Sequence, residues 1–222
     1  MAITRIITPS ITVDAVDNTK LDLTSNYAFT RTLSGDSVVN LVKIKSITIS
    51  DDSSVEFVNG SNGVVLDSTY KVYKVIGTGI VVADQDSVDL RFNASTDTGS
   101  NYNVSKRNQG VKNNRGPTGD NNYSNTDYAS TSATGGSPFM LNLDGNEALN
   151  QANFEMTLFD LGSSVTHKMM RVQGSFRRTG SYAEYSDVMM MMMTTSAIDA
   201  IKFELSASNM DSGTITLYGV QT

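Results

Sequence analysis

The sequence predicts an all-β protein: an antiparallel β-sandwich of jelly-roll type, preceded by an extended N-terminal arm. Three observations carry this. Apolar and polar residues alternate with a period of two in short segments that recur about every 8–15 residues, as in half-buried strands. Only 18% of the 222 residues are charged, with Ser, Thr, Asn and Gly filling the polar quota, a mix unlike that of long helices. And no segment shows a sustained 3.6-residue period; "GNEALNQAN" has room for one or two helical turns at most.

Along the chain, residues 1–45 hold short β-prone pieces, Ile3 to Thr8, Ile11 to Val13, Leu21 to Leu23 and Tyr27 to Thr32, separated by Asp, Asn, Ser and Pro. None offers enough apolar surface for a core, so the segment reads as an attachment or oligomerisation arm. The sandwich is expected over 46–222. "KSITIS" alternates Ile47 and Ile49 with polar neighbours, and "SSVEFVNG" sets Val55 and Phe57 on one face. "STYKVYKVIG" puts Tyr73 and Val75 opposite Tyr70, Val72 and Ile76. "SVDLRFNAS" points Val88, Leu90 and Phe92 inward. The stretch 93–138, rich in Asn, Ser, Thr and Gly, reads as a long polar loop with no core of its own, holding a short strand near Tyr102 to Val104. Strand signals then resume: "FMLNLDG", "NFEMTLFDLG", "VTHKMMRVQGSF", "AEYSDVMMMMMTT", "AIDAIKFELSASN" and "SGTITLYGV".

Composition narrows the function classes. A net charge of −6 gives no general attraction for phosphate backbones, so nucleic acid is not an expected partner. Absence of Cys removes disulfides, thiolate nucleophiles and Cys-zinc sites. The start lacks an apolar run of about 7–15 residues, and no segment approaches the roughly 18 apolar residues of a membrane span. Neither a secretory signal nor membrane insertion is expected.

Candidate chemistry is sparse. His167, the only histidine, has no visible nucleophile partner and reads as a structural or surface residue. Glu155, Asp160, Glu184, Asp187 and Glu204 could supply the carboxylate pair of a glycosidase, but most fall where alternation points them to solvent. Asp84, Asp86 and Asp89 in "ADQDSVD" lack the spacing of a calcium loop. No catalytic residue, metal or cofactor is expected. Tyr102, Tyr123 and Tyr128 form the candidate surface-binding loop: a tyrosine among small polar neighbours suits a sugar ring or a protein surface, though the rings could equally pin the loop to the sandwich. Five consecutive methionines, Met189 to Met193, alternate sides in a strand and cannot converge on one metal ion. A strand apolar on both faces should be covered on both. One face would meet the opposing sheet and the other the N-terminal arm, the long loop or a neighbouring subunit; with the subunit taken as the cover, Met189, Met191 and Met193 are the candidate subunit contact.

Three stretches carry a resemblance. "LDLTSNYAFTRTLSG" (Leu21 to Gly35) resembles the segment leading into the globular domain of tailed-bacteriophage virion proteins, especially tail-fibre-like proteins of marine phages, with Arg31 and Leu33 where Gly and Val are common. "AIDAIKFELSASNMDSGTITLYGV" (Ala197 to Val220) resembles the closing strands of the concanavalin-like jelly-roll domains in those proteins, and "STYKVYKVIGTGIVVADQDSVDLRFNASTDTGSNYN" is similar to their middle. The resemblance implies a non-enzymatic virion protein assembled in the host cytoplasm, homotrimeric, joined to other virion proteins through its N-terminal arm. Its head would contact a host-surface glycan or protein as a tail-fibre component. The alternatives are a capsid-decorating or fibre-anchoring protein without a receptor, and a carbohydrate-binding module or glycosidase.

Overall fold

The computed structural model describes residues 40–83, 87–116, 131–132, 135–145, 149–179 and 182–221. All belong to one compact unit, Val39–Thr222; the expected arm, apart from its last residues, lies outside the described residues. The strands in chain order are β1 (Asn40–Asp52), β2 (Ser54–Val58), β3 (Val72–Val82), β4 (Val88–Ser95), β5 (Lys106–Arg115), β6 (Thr131–Ser132), β7 (Ser137–Leu143), β8 (Ala152–Phe159), β9 (Lys168–Arg178), β10 (Tyr182–Met192), β11 (Ala200–Leu205) and β12 (Met210–Gln221). They form an eight-stranded sheet, β1-β12-β3-β8-β9-β10-β5-β6, and a four-stranded sheet, β2-β11-β4-β7. The two pack face to face as a β-sandwich. Pairing is nested, first strands with last: β1 with β12, β2 with β11, β5 with β10, all antiparallel. An antiparallel ribbon rolled up on itself gives this order.

The alternating segments lie as their period dictates. Val88, Leu90 and Phe92 of β4, Ile201 and Phe203 of β11, and Tyr73 and Val75 of β3 are buried between the sheets. Phe203 is the hub. Its ring centroid lies 6.5 Å from Phe57, 5.7 Å from Phe92, 6.3 Å from Phe139 and 5.5 Å from Phe154, joining the four-stranded sheet to β8 of the other. Room for Phe154 comes from its cross-strand neighbour Gly77, while Gly174 on its other side makes room for Met140. A Cβ on Gly77 would stand 2.2 Å from that ring.

The stretch 93–138 differs from its expected form. It contains the ten-residue strand β5, paired along its length with β10. The inward residues of β5 are Lys106, Asn108, Gly110, Lys112 and Asn114, so no apolar alternation announces it. Three of these polar groups bond partners distant in sequence, Lys106 donating to Asn93 Oδ1 (2.6 Å), Asn108 to the Pro138 carbonyl (3.0 Å) and Lys112 to the Leu141 carbonyl (3.1 Å), while Asn114 Oδ1 is buried without a hydrogen bond. Buried polar groups are tolerated when so bonded. The short strand expected near Tyr102 to Val104 is instead irregular chain between β4 and β5.

Candidate functional site

The site is built from the outer face of the eight-stranded sheet. Residues paired directly across antiparallel strands share a face, so the registers define rows running across the strands. One row reads Met191, Met169, Phe159, Val72, Val220 and Leu41, from β10 through β9, β8, β3 and β12 to β1. It is apolar throughout. Phe159 is 43% exposed and Leu41 47%. Met189, one step along β10, is 55% exposed. A depression of ≈ 470 Å³ lies here, lined by Val111, Phe159, Met169 and Met189 among others.

The methionine run sits astride this face and the core. Val188, Met190 and Met192 are buried between the sheets. Met189 points outward, and Met191 and Met193 are half-buried. The expected cover is seen on the inner face; among the described residues nothing covers the outer face at Met189.

Further along the strands the outer face turns polar. Arg171 holds Asp187 through two bonds, Nε to Oδ1 at 3.1 Å and NH2 to Oδ2 at 2.6 Å. This keeps the Asp187 carboxyl below its usual range and raises the guanidinium. Gln173 Nε2 donates to the Tyr185 hydroxyl at 2.9 Å and to Asp187 at 3.2 Å, and that hydroxyl donates to Asp187 Oδ2 at 3.3 Å. Lys74 pairs with Glu155 nearby. A second depression, ≈ 360 Å³, is bounded by Glu155, Gln173, Ser175 and Tyr185.

A separate charged cluster is buried between the sheets. Glu184, with its side chain fully inaccessible, lies 2.5 Å from Lys112 Nζ and 3.6 Å from Arg178 NH1. Arg178 also binds Asp144, Nε to Oδ2 at 3.1 Å. Of the five carboxylates considered from sequence, Glu184 turns inward, because it shares the face of β10 that carries Val188 and Met190. Asp144 and Glu184 thus share one guanidinium. Each carboxylate is tied to a neighbouring cation, Glu184 to Lys112 and Arg178 and Asp144 to Arg178, so the cluster is an ion-pair network. Glu155, Asp160, Asp187 and Glu204 are partnered by Lys71, Lys74, Arg171 or Lys202.

The tyrosine loop is not assembled by the described residues, since Tyr123 and Tyr128 lie outside them. Tyr102 is half-buried under Lys202, whose Nζ stands 4.8 Å from the ring centroid. Burial, with Glu56 nearby, raises its phenol above the usual range. Such a ring pins the β4–β5 connection to the four-stranded sheet. His167 is exposed just before β9. Among the described residues no three His, Cys, Asp or Glu gather as metal ligands; Asp84 and Asp86 lie outside them. Tyr185, Gln173, Phe159 and Met169 were not singled out from sequence. Their signal is the outward phase of two strands paired in register, which no single strand reveals.

Fold and surface together define an antiparallel β-sandwich with one broad sheet face that the described residues leave open at Met189, Met169 and Phe159. No family model, no curated protein and no solved structure matches the chain.

Proposed function

We propose that this chain is a non-enzymatic structural protein of a tailed-phage particle, a tail-fibre or receptor-contacting component that works as a homotrimer by multivalent surface binding. The observation that carries the reading is the outer face of the eight-stranded sheet. Its apolar end, with Met189, Met169 and Phe159 open to solvent around one depression, is the kind of patch that marks contact with another macromolecule. Methionines suit such a contact because they adapt to what they meet. The apolar end serves as the contact between copies, and the polar half remains for the bound surface. The phage context is supported by the resemblance of Leu21 to Gly35 and of Ala197 to Val220 to virion proteins. Several weak sites on one particle would raise avidity without new contacts.

The test is competition. Purified protein at saturating dose should block adsorption of the particle that carries it to that particle's host cells. No competition would overturn the receptor role, and labelling of the capsid shell by an antibody against the chain would assign it a decorating role instead.

A further inference from the structure

We propose that the polar half of the outer face binds a neutral pyranose of a surface glycan, with the Tyr185 ring as its stacking platform. The inference rests on the surface-binding reading and names its ligand class. Three features carry it. The first is room: the depression of ≈ 360 Å³ beside Tyr185 falls within the span of about 300–1,000 Å³ typical of ligand sites. The second is a fixed aromatic face. Tyr185 is 39% exposed, yet its hydroxyl is held by Gln173 at 2.9 Å and reaches Asp187, two residues along the same strand, at 3.3 Å. The ring therefore leans along the strand instead of standing off the sheet, and presents a face already immobilised before binding. Sugar C–H faces pack on such rings.

The third feature is the kind of polar group around the ring. Gln173, Glu155 and Ser175 line the same depression, giving amide, carboxylate and hydroxyl partners for vicinal sugar hydroxyls, which both donate and accept. Charge selects the sugar. The nearby cations are already committed, Lys74 to Glu155 and Arg171 to Asp187. The site thus offers no unpaired cation among these groups for a carboxylated or sulfated ring, while Ile76, Gly77 and Phe154, which line the same depression, add apolar contact for the C–H face of a sugar.

The experiment exposes the full chain to an array of immobilised oligosaccharides, neutral (glucose, galactose, mannose and N-acetylhexosamine) and acidic (sialylated and sulfated). Retention on at least one neutral glycan is expected, weakened about tenfold or more by Tyr185→Ala and by less in Tyr185→Phe, which keeps the ring and loses the hydroxyl that fixes it, with unchanged thermal melting. Binding to none of the neutral glycans, binding to acidic ones alone, or equal binding by Tyr185→Ala would overturn the inference. The adsorption assay separates it from the reading beneath it. If Tyr185→Ala blocks particle adsorption as well as the unaltered chain, surface binding stands and the glycan site falls. If the chain binds a neutral glycan through Tyr185 yet blocks no adsorption, the glycan site stands and the receptor role falls.

Discussion

The buried cations and anions make the sharpest single-residue statements. Lys112 and Glu184 lie together inside the sandwich, 2.5 Å apart. Removing one partner leaves the other charged and desolvated, which costs about 3–5 kcal/mol in comparable sites. Glu184→Ala is expected to lose that much in urea unfolding, while Glu184→Leu combined with Lys112→Met should lose clearly less than the sum of the single changes. Additive losses would show the pair to be uncoupled. Lys106 is a second case. Burial lowers its ammonium from 10.5 to about 8. Below pH 8 both states hold the proton, and the folded state bears the cost of burying it. Between pH 8 and 10.5 the folded protein releases the proton while the unfolded chain keeps it, so this residue's contribution to stability rises with pH and levels off above the window. The gain is on the order of 3 kcal/mol. It should appear as the difference between the unaltered chain and Lys106→Met, measured by urea unfolding at pH 7.5 and 10.5. The raised phenols of Tyr73 and Tyr102 slope the other way above pH 10, but both proteins share them. A difference that stays flat across the window would remove burial as the cause. Lys168 shows a different solution: its ammonium donates to the carbonyls of Ser163 at 2.6 Å, Thr166 at 3.0 Å and Thr195 at 2.9 Å, tying the turn before β9 to the chain after β10.

Among the strands, β10 is the most informative. Its two faces should respond differently to the same substitution. Met190→Ala opens a cavity between the sheets and is expected to cost about 2–5 kcal/mol. Met189→Ala on the open face should change the stability of a single protomer by less than about 0.5 kcal/mol. Denaturant unfolding of the two variants at low concentration checks this, and equal losses would mean that the outer face is covered within the protomer. The strands also show what the sequence made readable. β4 and β11 are legible because their inward residues are apolar and their outward ones are not, and β12 because Ile215 and Leu217 alternate with Thr214 and Thr216. The inward turn of Glu184 follows once β10 is phased on Val188 and Met190, since residues two apart share a face. β5 was not legible. Its inner face is Lys106, Asn108, Gly110, Lys112 and Asn114, and the partners that make this tolerable come from β4, β7 and β10. Only tertiary pairing distinguishes it from a polar loop. The outer-face site was half legible. The methionines were visible as a run, but Phe159, Met169 and Tyr185 join them only through the register of β8, β9 and β10.

For the whole molecule, the open face would give the proposed assembly its physical basis. The exposed apolar residues of β8, β9 and β10, Phe159, Met169 and Met189, are a poor surface to leave in water and a good one to bury against a second copy. The charged pairs beside it, Arg171 with Asp187 and Lys74 with Glu155, would form the polar rim of such a contact. The methionines themselves report on it, because exposed thioethers oxidise to sulfoxides and buried ones are slower. Limited peroxide oxidation, mapped by peptide mass spectrometry over a concentration series with mass followed by sedimentation, reads every position at once. Met190 and Met192 should stay protected throughout. Met189 and Met169 should oxidise readily in dilute protomers and become protected together as the chain assembles. Oxidation of Met189 and Met169 at the same rate in protomer and oligomer, or a chain that remains a monomer at every concentration, would show that this face is not where copies meet.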